Sequence, residues 1–177
     1  GDMSADGHIA DYLLNCGYSD DVKSAEDTET AEYVIVDDKN AFKDYVTLRT
    51  RRKHNDVALE DSGVVITEKL SKDLGVKKGD KITVTSSAGK QSEAVVSGIT
   101  EMYVNHYIYI STEYYNELFG NVPDNNRVLI KINGDVSETE SYMGDEYLTR
   151  DYIKGVGFLN ANVTRFENMI QSLDLVT

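Results

Sequence analysis

Three histidines, one cysteine and 31 carboxylates are the groups in these 177 residues from which catalysis or metal binding would have to be built. Histidine exchanges protons near neutral pH, a thiolate attacks electrophiles, and paired carboxylates hydrolyse glycosides. The spacing supports none of these. His8, His54 and His106 lie far apart in the sequence. The chain contains no H-E-x-x-H, Walker A loop, G-x-G-x-x-G, G-x-S-x-G elbow or EF-hand loop, and no motif nominates a carboxylate pair. Lone Cys16 can form neither an intrachain disulfide nor a multi-thiolate zinc site. Asn162-Val163-Thr164 matches a glycosylation sequon, a pattern too short to carry weight. The sequence therefore nominates no catalytic, cofactor-binding or metal-binding residue, and the chain reads as a protein that is not an enzyme.

Two features keep a chemical interest. The stretch Tyr103 to Ile110 has a period of two, with Tyr103, Asn105, Tyr107 and Tyr109 on one face and Val104, His106, Ile108 and Ile110 on the other. His106 shares the apolar face, where a histidine satisfied at the core or a sheet edge is commoner than a catalytic one. The tyrosine row reads as packed under a helix, or as a recognition surface, since amphipathic rings suit interfaces. The second feature is Arg49, Arg51, Arg52, Lys53 and His54 in the polar segment 49–60. Such a cluster is either a solvated loop that balances neighbouring carboxylates or a site for phosphate or an acidic partner.

The charge surrounding them is strongly negative. With 18 Lys plus Arg the formal net charge is −13, and it is uneven along the chain. Residues 1–40 hold 11 acids and 2 bases, 41–100 hold 8 and 11, and 101–177 hold 12 and 5. An acidic field opposes nucleic acid, so no nucleic-acid partner is expected. A hydrophobic content of 40% supports a folded core at this length.

The elements that must position these groups are legible in the middle of the chain. Ser19 to Thr30 reads as a solvated acidic hairpin or loop, preceded by a short helix or strand at Ile9, Leu13 and Leu14. Tyr33–Val36 and Tyr45–Leu48 are strand candidates, with a short helix beginning between them at 38–42. Gly63–Ile66 is a buried-type strand, and Thr67 supplies an N-cap to a helix over 68–74 that ends at Gly75. Lys77-Lys78-Gly79-Asp80 turns into the alternating strand 81–85, and Ser86–Lys90 makes a hairpin loop to a return strand over 91–99. Ser111 caps a helix over 112–119 that ends at Gly120. Arg127–Ile132 is a strand, Ser137-x-x-Glu140 a capping box, and Phe158-Leu159 part of a last strand. Val163, Phe166, Ile170 and Leu173 fall at helical spacing, which predicts a C-terminal helix over 163–177. The fold class expected is α+β, a mixed β-sheet with helices packed on it and several short hairpins.

No run approaches the roughly 20 apolar residues that cross a bilayer. The chain begins Gly1-Asp2-Met3 without a signal peptide, Gly1 reads as a cloning remnant, and a helix still gaining apolar character at Thr177 suggests a segment removed downstream.

The run Gly63-Val64-Val65-Ile66-Thr67-Glu68-Lys69-Leu70-Ser71-Lys72-Asp73-Leu74-Gly75-Val76-Lys77-Lys78-Gly79-Asp80-Lys81-Ile82-Thr83-Val84, followed by Ala94-Val95-Val96-Ser97-Gly98-Ile99, resembles the extracytoplasmic, MacB-type periplasmic core domain of FtsX-like ABC transporter permeases. Tyr107–Ser111 with a helix after it suits the same pattern, and Phe42-x-x-Tyr45-Val46-x-Leu48-Arg49-x-Arg51 resembles the version in large permeases of Gram-positive bacteria. The resemblance covers about residues 32–132; the first thirty residues depart from it. By its charge the stretch 1–31 is set apart as an acidic N-terminal segment. The resemblance implies an extracytoplasmic core domain over 32–162 and a helix over 163–177 leading toward a removed transmembrane segment. It also implies location at the cell membrane with this segment outside, no cofactor, and a non-enzymatic role coupling transmembrane movement to an envelope partner or substrate. The partners implied are a cytoplasmic ATPase subunit, reached through the missing transmembrane part, and an envelope protein, peptide or lipid. The partner-binding surface is not assigned. The other reading is a soluble β-barrel-like enzyme or regulator built on the Gly79-Asp80 hairpin, with an anion site at the basic loop 49–54.

Overall fold

The computed structural model describes residues 7, 9–102, 104–133, 153–160 and 169–175, the last two stretches by their backbone alone. The chain divides into two compact units, residues 1–15, 40–46 and 125–177 in one and residues 16–39 and 47–124 in the other. The fold is α+β, with mixed sheet, short helices and hairpins.

The unit of residues 16–39 and 47–124 is a closed barrel. Its strands are the second part of β1 (Ile9–Lys23), β2 (Thr28–Val36), β3 (Val64–Thr67), β4 (Lys81–Thr85), β5 (Gln91–Thr100) and β6 (Tyr107–Ser111). β1 and β2 form an antiparallel hairpin, from Cys16 opposite Ile35 to Lys23 opposite Thr28. β2 runs parallel to β6, β6 antiparallel to β3, and β3 parallel to β5. β5 pairs with β4 antiparallel, and β4 returns to β1 through Val22 opposite Val84 and Lys23 opposite Thr83. The ring of six strands therefore has no free edge, which removes the unpaired N–H and C=O rows of an open sheet.

Alternation fills the barrel. Val22, Tyr33, Ile35, Val64, Ile66, Ile82, Val84, Ala94, Val96, Ile108 and Ile110 are buried together. Helix α2 (Glu68–Asp73) adds Leu70, and α3 (Thr112–Phe119) adds Tyr114 and Tyr115. Each fully buried aliphatic chain contributes about 1.5–3 kcal/mol relative to exposure. Helix α3 starts as read, with the Ser111 hydroxyl accepting the Tyr114 N–H at 3.2 Å, and ends at Gly120 in a left-handed conformation, φ 76°. Gly75 after α2 is also left-handed, φ 68°. Tyr114 and Tyr115 pack inward, and Tyr109 of the tyrosine row is buried.

The other unit contains the first part of β1, helix α1 (Lys39–Lys43) from Asn40 on, β7 (Arg127–Ile132), β8 (Ile153–Asn160) and β9 (Met169–Leu175). Its strand order is β1, β7, β9, β8, all antiparallel. The Lys131 ammonium lies 4.6 Å from the Tyr45 ring centre, a cation–π contact.

Three sequence expectations need correction. Met169–Leu175 is a strand, where a helix over 163–177 was predicted. The apolar positions 163, 166, 170 and 173 fit helical spacing, but 169, 173 and 175 fit a period of two, and two strands pair on either side of this segment. Phe158-Leu159 is consequently in the last strand but one. Tyr45–Leu48 is not a strand; Tyr45 and Val46 close the turn after α1, their N–H groups donating to the Phe42 carbonyl at 3.0 and 2.9 Å. The strand around 103–110 is shorter than its alternation, starting at Tyr107. His8, Tyr103, the capping box at Ser137 and the sequon at Asn162 lie outside the described residues.

Candidate functional site

The basic cluster and His106 are carried by two separate segments of the barrel unit. The first, 49–56, is an ordered hairpin loop, since Arg49 bridges Asp56 and the Thr50 N–H donates to the Asn55 carbonyl at 2.8 Å. The Thr50 hydroxyl also accepts the Asn55 N–H at 3.2 Å. Residues 51–54 form its tip and are exposed, with His54 at φ 50°. The second segment is 101–106, which connects β5 to β6.

They meet at Glu101. The Arg49 guanidinium forms an ion pair with the Glu101 carboxylate, and the Glu101 N–H donates to the Arg49 carbonyl at 2.8 Å. The Thr100 hydroxyl accepts the Arg49 N–H at 3.0 Å and donates to the Arg49 carbonyl at 3.2 Å. Arg49 is therefore a structural member of the cluster, which leaves residues 51–54 as its outward part. A fully exposed turn presents its charges outward and does not converge them on an enclosed anion.

Farther along, segment 101–106 is fastened to α2 and β2. The Lys69 N–H donates to the Met102 carbonyl at 3.2 Å. The Thr67 hydroxyl donates to the Asn105 carbonyl at 3.0 Å and accepts the Tyr107 N–H at 3.2 Å. That hydroxyl makes no cap bond to α2, contrary to the role expected from sequence. The Glu32 N–H donates to the His106 carbonyl at 2.9 Å. Between these anchors the apolar side chain of Val104 stands 80% exposed.

His106 is the central side chain. Its Nε2 is 2.9 Å from Asp73 Oδ2 and its Nδ1 is 3.1 Å from the Thr30 carbonyl, with Glu29 Oε2 at 3.6 Å from Nδ1. Asp73 also pairs with Lys69 one helical turn earlier. The Lys69 ammonium, and after it the His106 ring, hold the Asp73 carboxyl below the usual carboxylate range. Both ring nitrogens are thus engaged, as expected of a satisfied edge histidine. Tyr107 and Tyr109 stack with centroids 6.0 Å apart, and burial pushes the Tyr109 phenol up from its usual range.

The sequence singled out His106 and Arg49 but not their partners. Asp73, Thr30 and Glu101 lie 33, 76 and 52 positions away from the groups they meet. Only Lys69 and Asp73 left a local signal, an i,i+4 pair on a short helix. Among the described residues no group of three or more His, Cys, Asp or Glu side chains could hold a metal ion, and Cys16 is buried.

No family model matches the chain, and no curated protein matches it. Solved structures do, among them an extracellular and a periplasmic region of ABC-type transporters. The chain has the fold of the extracellular domain of the noncanonic ABC-type transporter YknZ from Gram-positive bacteria, with a TM-score of 0.50 and 13% identity over 84% of this chain and 81% of that one. The periplasmic region of MacB from Actinobacillus actinomycetemcomitans aligns with a TM-score of 0.45 and 12% identity, over 83% of this chain and 70% of that one. Among the described residues no helix is long and apolar enough to cross a membrane.

Proposed function

We propose that this chain is the extracellular domain of an ABC-type transporter permease, held outside the cell membrane and coupling movement of the transmembrane part to binding of an envelope partner or substrate. The observation that carries this reading is the likeness in fold to the YknZ extracellular domain across 84% of the chain. It agrees with the independent resemblance of Gly63–Ile99 to such permeases. The partners are a cytoplasmic ATPase, which hydrolyses ATP for the assembly, and an envelope protein, peptide or lipid recognised by this domain. The domain itself performs no chemistry. Its ion-paired and hydrogen-bonded residues 49–56, 101, 102 and 104–106 would form the partly exposed rim through which a hinge-type movement is transmitted.

The test uses the full-length parent protein in cells. Val104→Cys places a thiol at an exposed position, whereas native Cys16 is 3% exposed and gives little background. Labelling of Val104→Cys by a membrane-impermeant maleimide in intact cells, together with co-purification of an ATPase subunit, is the expected result. Labelling only after lysis would overturn the placement, and purification without any ATPase would overturn the transporter assignment.

A further inference from the structure

We propose that the exposed tip of the hairpin loop 49–56 is a docking element for an extended acidic segment of a partner peptide or protein. Four consecutive basic residues, Arg51, Arg52, Lys53 and His54, make up the tip, and all four are exposed. Arg52 and Lys53 have no carboxylate at ion-pair distance among the described residues, although the chain holds 31 carboxylates against 18 Lys plus Arg. Elsewhere in the same unit Lys39, Arg49, Lys69 and Lys81 each hold one. The exposed pair Lys77-Lys78, by contrast, shares its turn with Asp80, whose carboxylate accepts the Lys77 N–H at 2.7 Å.

A fixed frame presents these charges. Thr50 and Asn55 close the loop by two mutual hydrogen bonds, and below them the Val57 N–H donates to the Leu48 carbonyl at 2.9 Å. The root is held by the Arg49–Glu101 ion pair and by the Thr100 hydroxyl. His54, at φ 50°, takes a left-handed conformation that residues with a Cβ seldom adopt, and the bonds around it keep it there. Arg52 and Lys53 take part in none of these bonds. A loop already ordered loses little conformational freedom on binding, so its cations are offered at low entropic cost.

The chemistry of the occupant follows from charge. Carboxylates complement the tip, but each exposed ion pair contributes only about 0.2–1 kcal/mol, so several must act together. An extended segment with carboxylates at successive positions supplies them. The formal net charge of −13 separates this occupant from others. An anionic membrane plane or a second copy of the chain would face the charge of the whole domain. A narrow segment meets the tip alone, because salt screens exposed charges beyond about 10 Å. This names the chemistry of the envelope partner proposed above, and it rests on that reading for the partner's location alone.

Fluorescence anisotropy of a labelled octaglutamate peptide, titrated with the 177-residue chain, tests the docking without the rest of a transporter. Wild type is expected to bind at about 50 mM salt, with affinity lowered about tenfold by Arg52→Glu with Lys53→Glu and by about as much at about 300 mM salt. Lys77→Glu with Lys78→Glu makes the same change of charge elsewhere in the barrel unit and should lower it about twofold at most. An equal loss in the two double variants would reduce the binding to general attraction and overturn the proposal. Absence of binding by wild type, or binding unchanged in the tip variant, overturns it as well. So does tip-dependent binding to phosphatidylglycerol vesicles that matches or exceeds binding to the peptide. Should the tip variant fail to fold, Arg52→Gln with Lys53→Gln replaces it, with an expected loss of about threefold. Failure of Val104→Cys labelling in intact cells would remove the extracellular placement and leave this result standing, so the two readings fail separately.

Discussion

The Tyr33 hydroxyl accepts the Thr85 N–H at 3.0 Å, and it donates to the Asp21 carbonyl at 2.9 Å. One phenol thus ties β4 to the β1–β2 hairpin where Val22 and Lys23 close the barrel. Its neighbour Tyr18 stacks on it at 4.8 Å and donates to the Thr85 carbonyl at 2.8 Å. Burial pushes the Tyr33 phenol well above its usual range, so it keeps its proton and can donate at any accessible pH. Tyr33→Phe preserves the ring and leaves a buried N–H unpaired. The expected loss is about 1–3 kcal/mol, read as a lower denaturant midpoint with an unchanged m-value; an unchanged midpoint would show that the hydroxyl bonds add nothing.

How much of this was legible before the structure depends on the range of the interaction. The 81–85 and 91–99 hairpin declared itself through alternation about the Ser86–Lys90 loop, and α3 through Ser111 and Gly120, all signals within ten residues. Barrel closure was not legible, because Val22 meets Val84 across 62 positions and short apolar strands carry no mark of their partners. His106 could be placed on an apolar face, but its contacts are set by Thr30 and Asp73, which the tertiary pairing of β6 with β2 and with β3 brings near. Tyr45 looked like a strand residue because its aromatic, β-branched run fits a pleated surface, yet the turn after α1 claimed its N–H.

Gly63 sits where a side chain has no room. A Cβ there would lie 2.6 Å from Ser97 Cβ and 2.8 Å from the Val95 carbonyl oxygen, and backbone of the barrel cannot retreat as a side chain can. Gly63→Ala should therefore separate β3 from β5 and cost about 1–3 kcal/mol. Gly79 offers a contrast, since its φ of 95° is strained for other residues while nothing lies within 4 Å of a Cβ. Gly79→Ala should cost about 1 kcal/mol through backbone strain alone. Thermal unfolding of both variants checks the difference; equal losses would argue against the steric account.

Charge matters at the root of the basic hairpin and not at its tip. Glu101 is 10% exposed and pairs with Arg49, whereas Arg52 and Lys53 are exposed and have no carboxylate at ion-pair distance among the described residues. Glu101→Gln should cost about 1–2 kcal/mol, partly resistant to added salt because the pair is shielded. Arg52→Glu with Lys53→Glu should stay within about 0.5 kcal/mol of wild type. Urea unfolding at low and high salt compares them, and a destabilised tip variant would mean that those cations serve the fold.

Acid sensitivity should be traceable to Asp61. The Lys39 ammonium, 2.6 Å away, and next the Ser111 hydroxyl hold its carboxyl below the ordinary value of 3.8. A depressed folded-state value means that the ionised form stabilises the native chain; the benefit is complete above the unfolded-state value and lost as pH falls through the folded one. Asp61→Asn keeps the shape of the side chain and removes the titration. At pH 7 the variant should be less stable than wild type, the gap should narrow below about pH 4, and it should vanish in stronger acid. Denaturant midpoints at pH 7, 4 and 2.5 give the comparison. A gap that persists at pH 2.5 would assign the effect to lost hydrogen bonding instead of charge, and Lys39→Met, which removes the same ion pair from the other side, should then fail to reproduce the pH dependence.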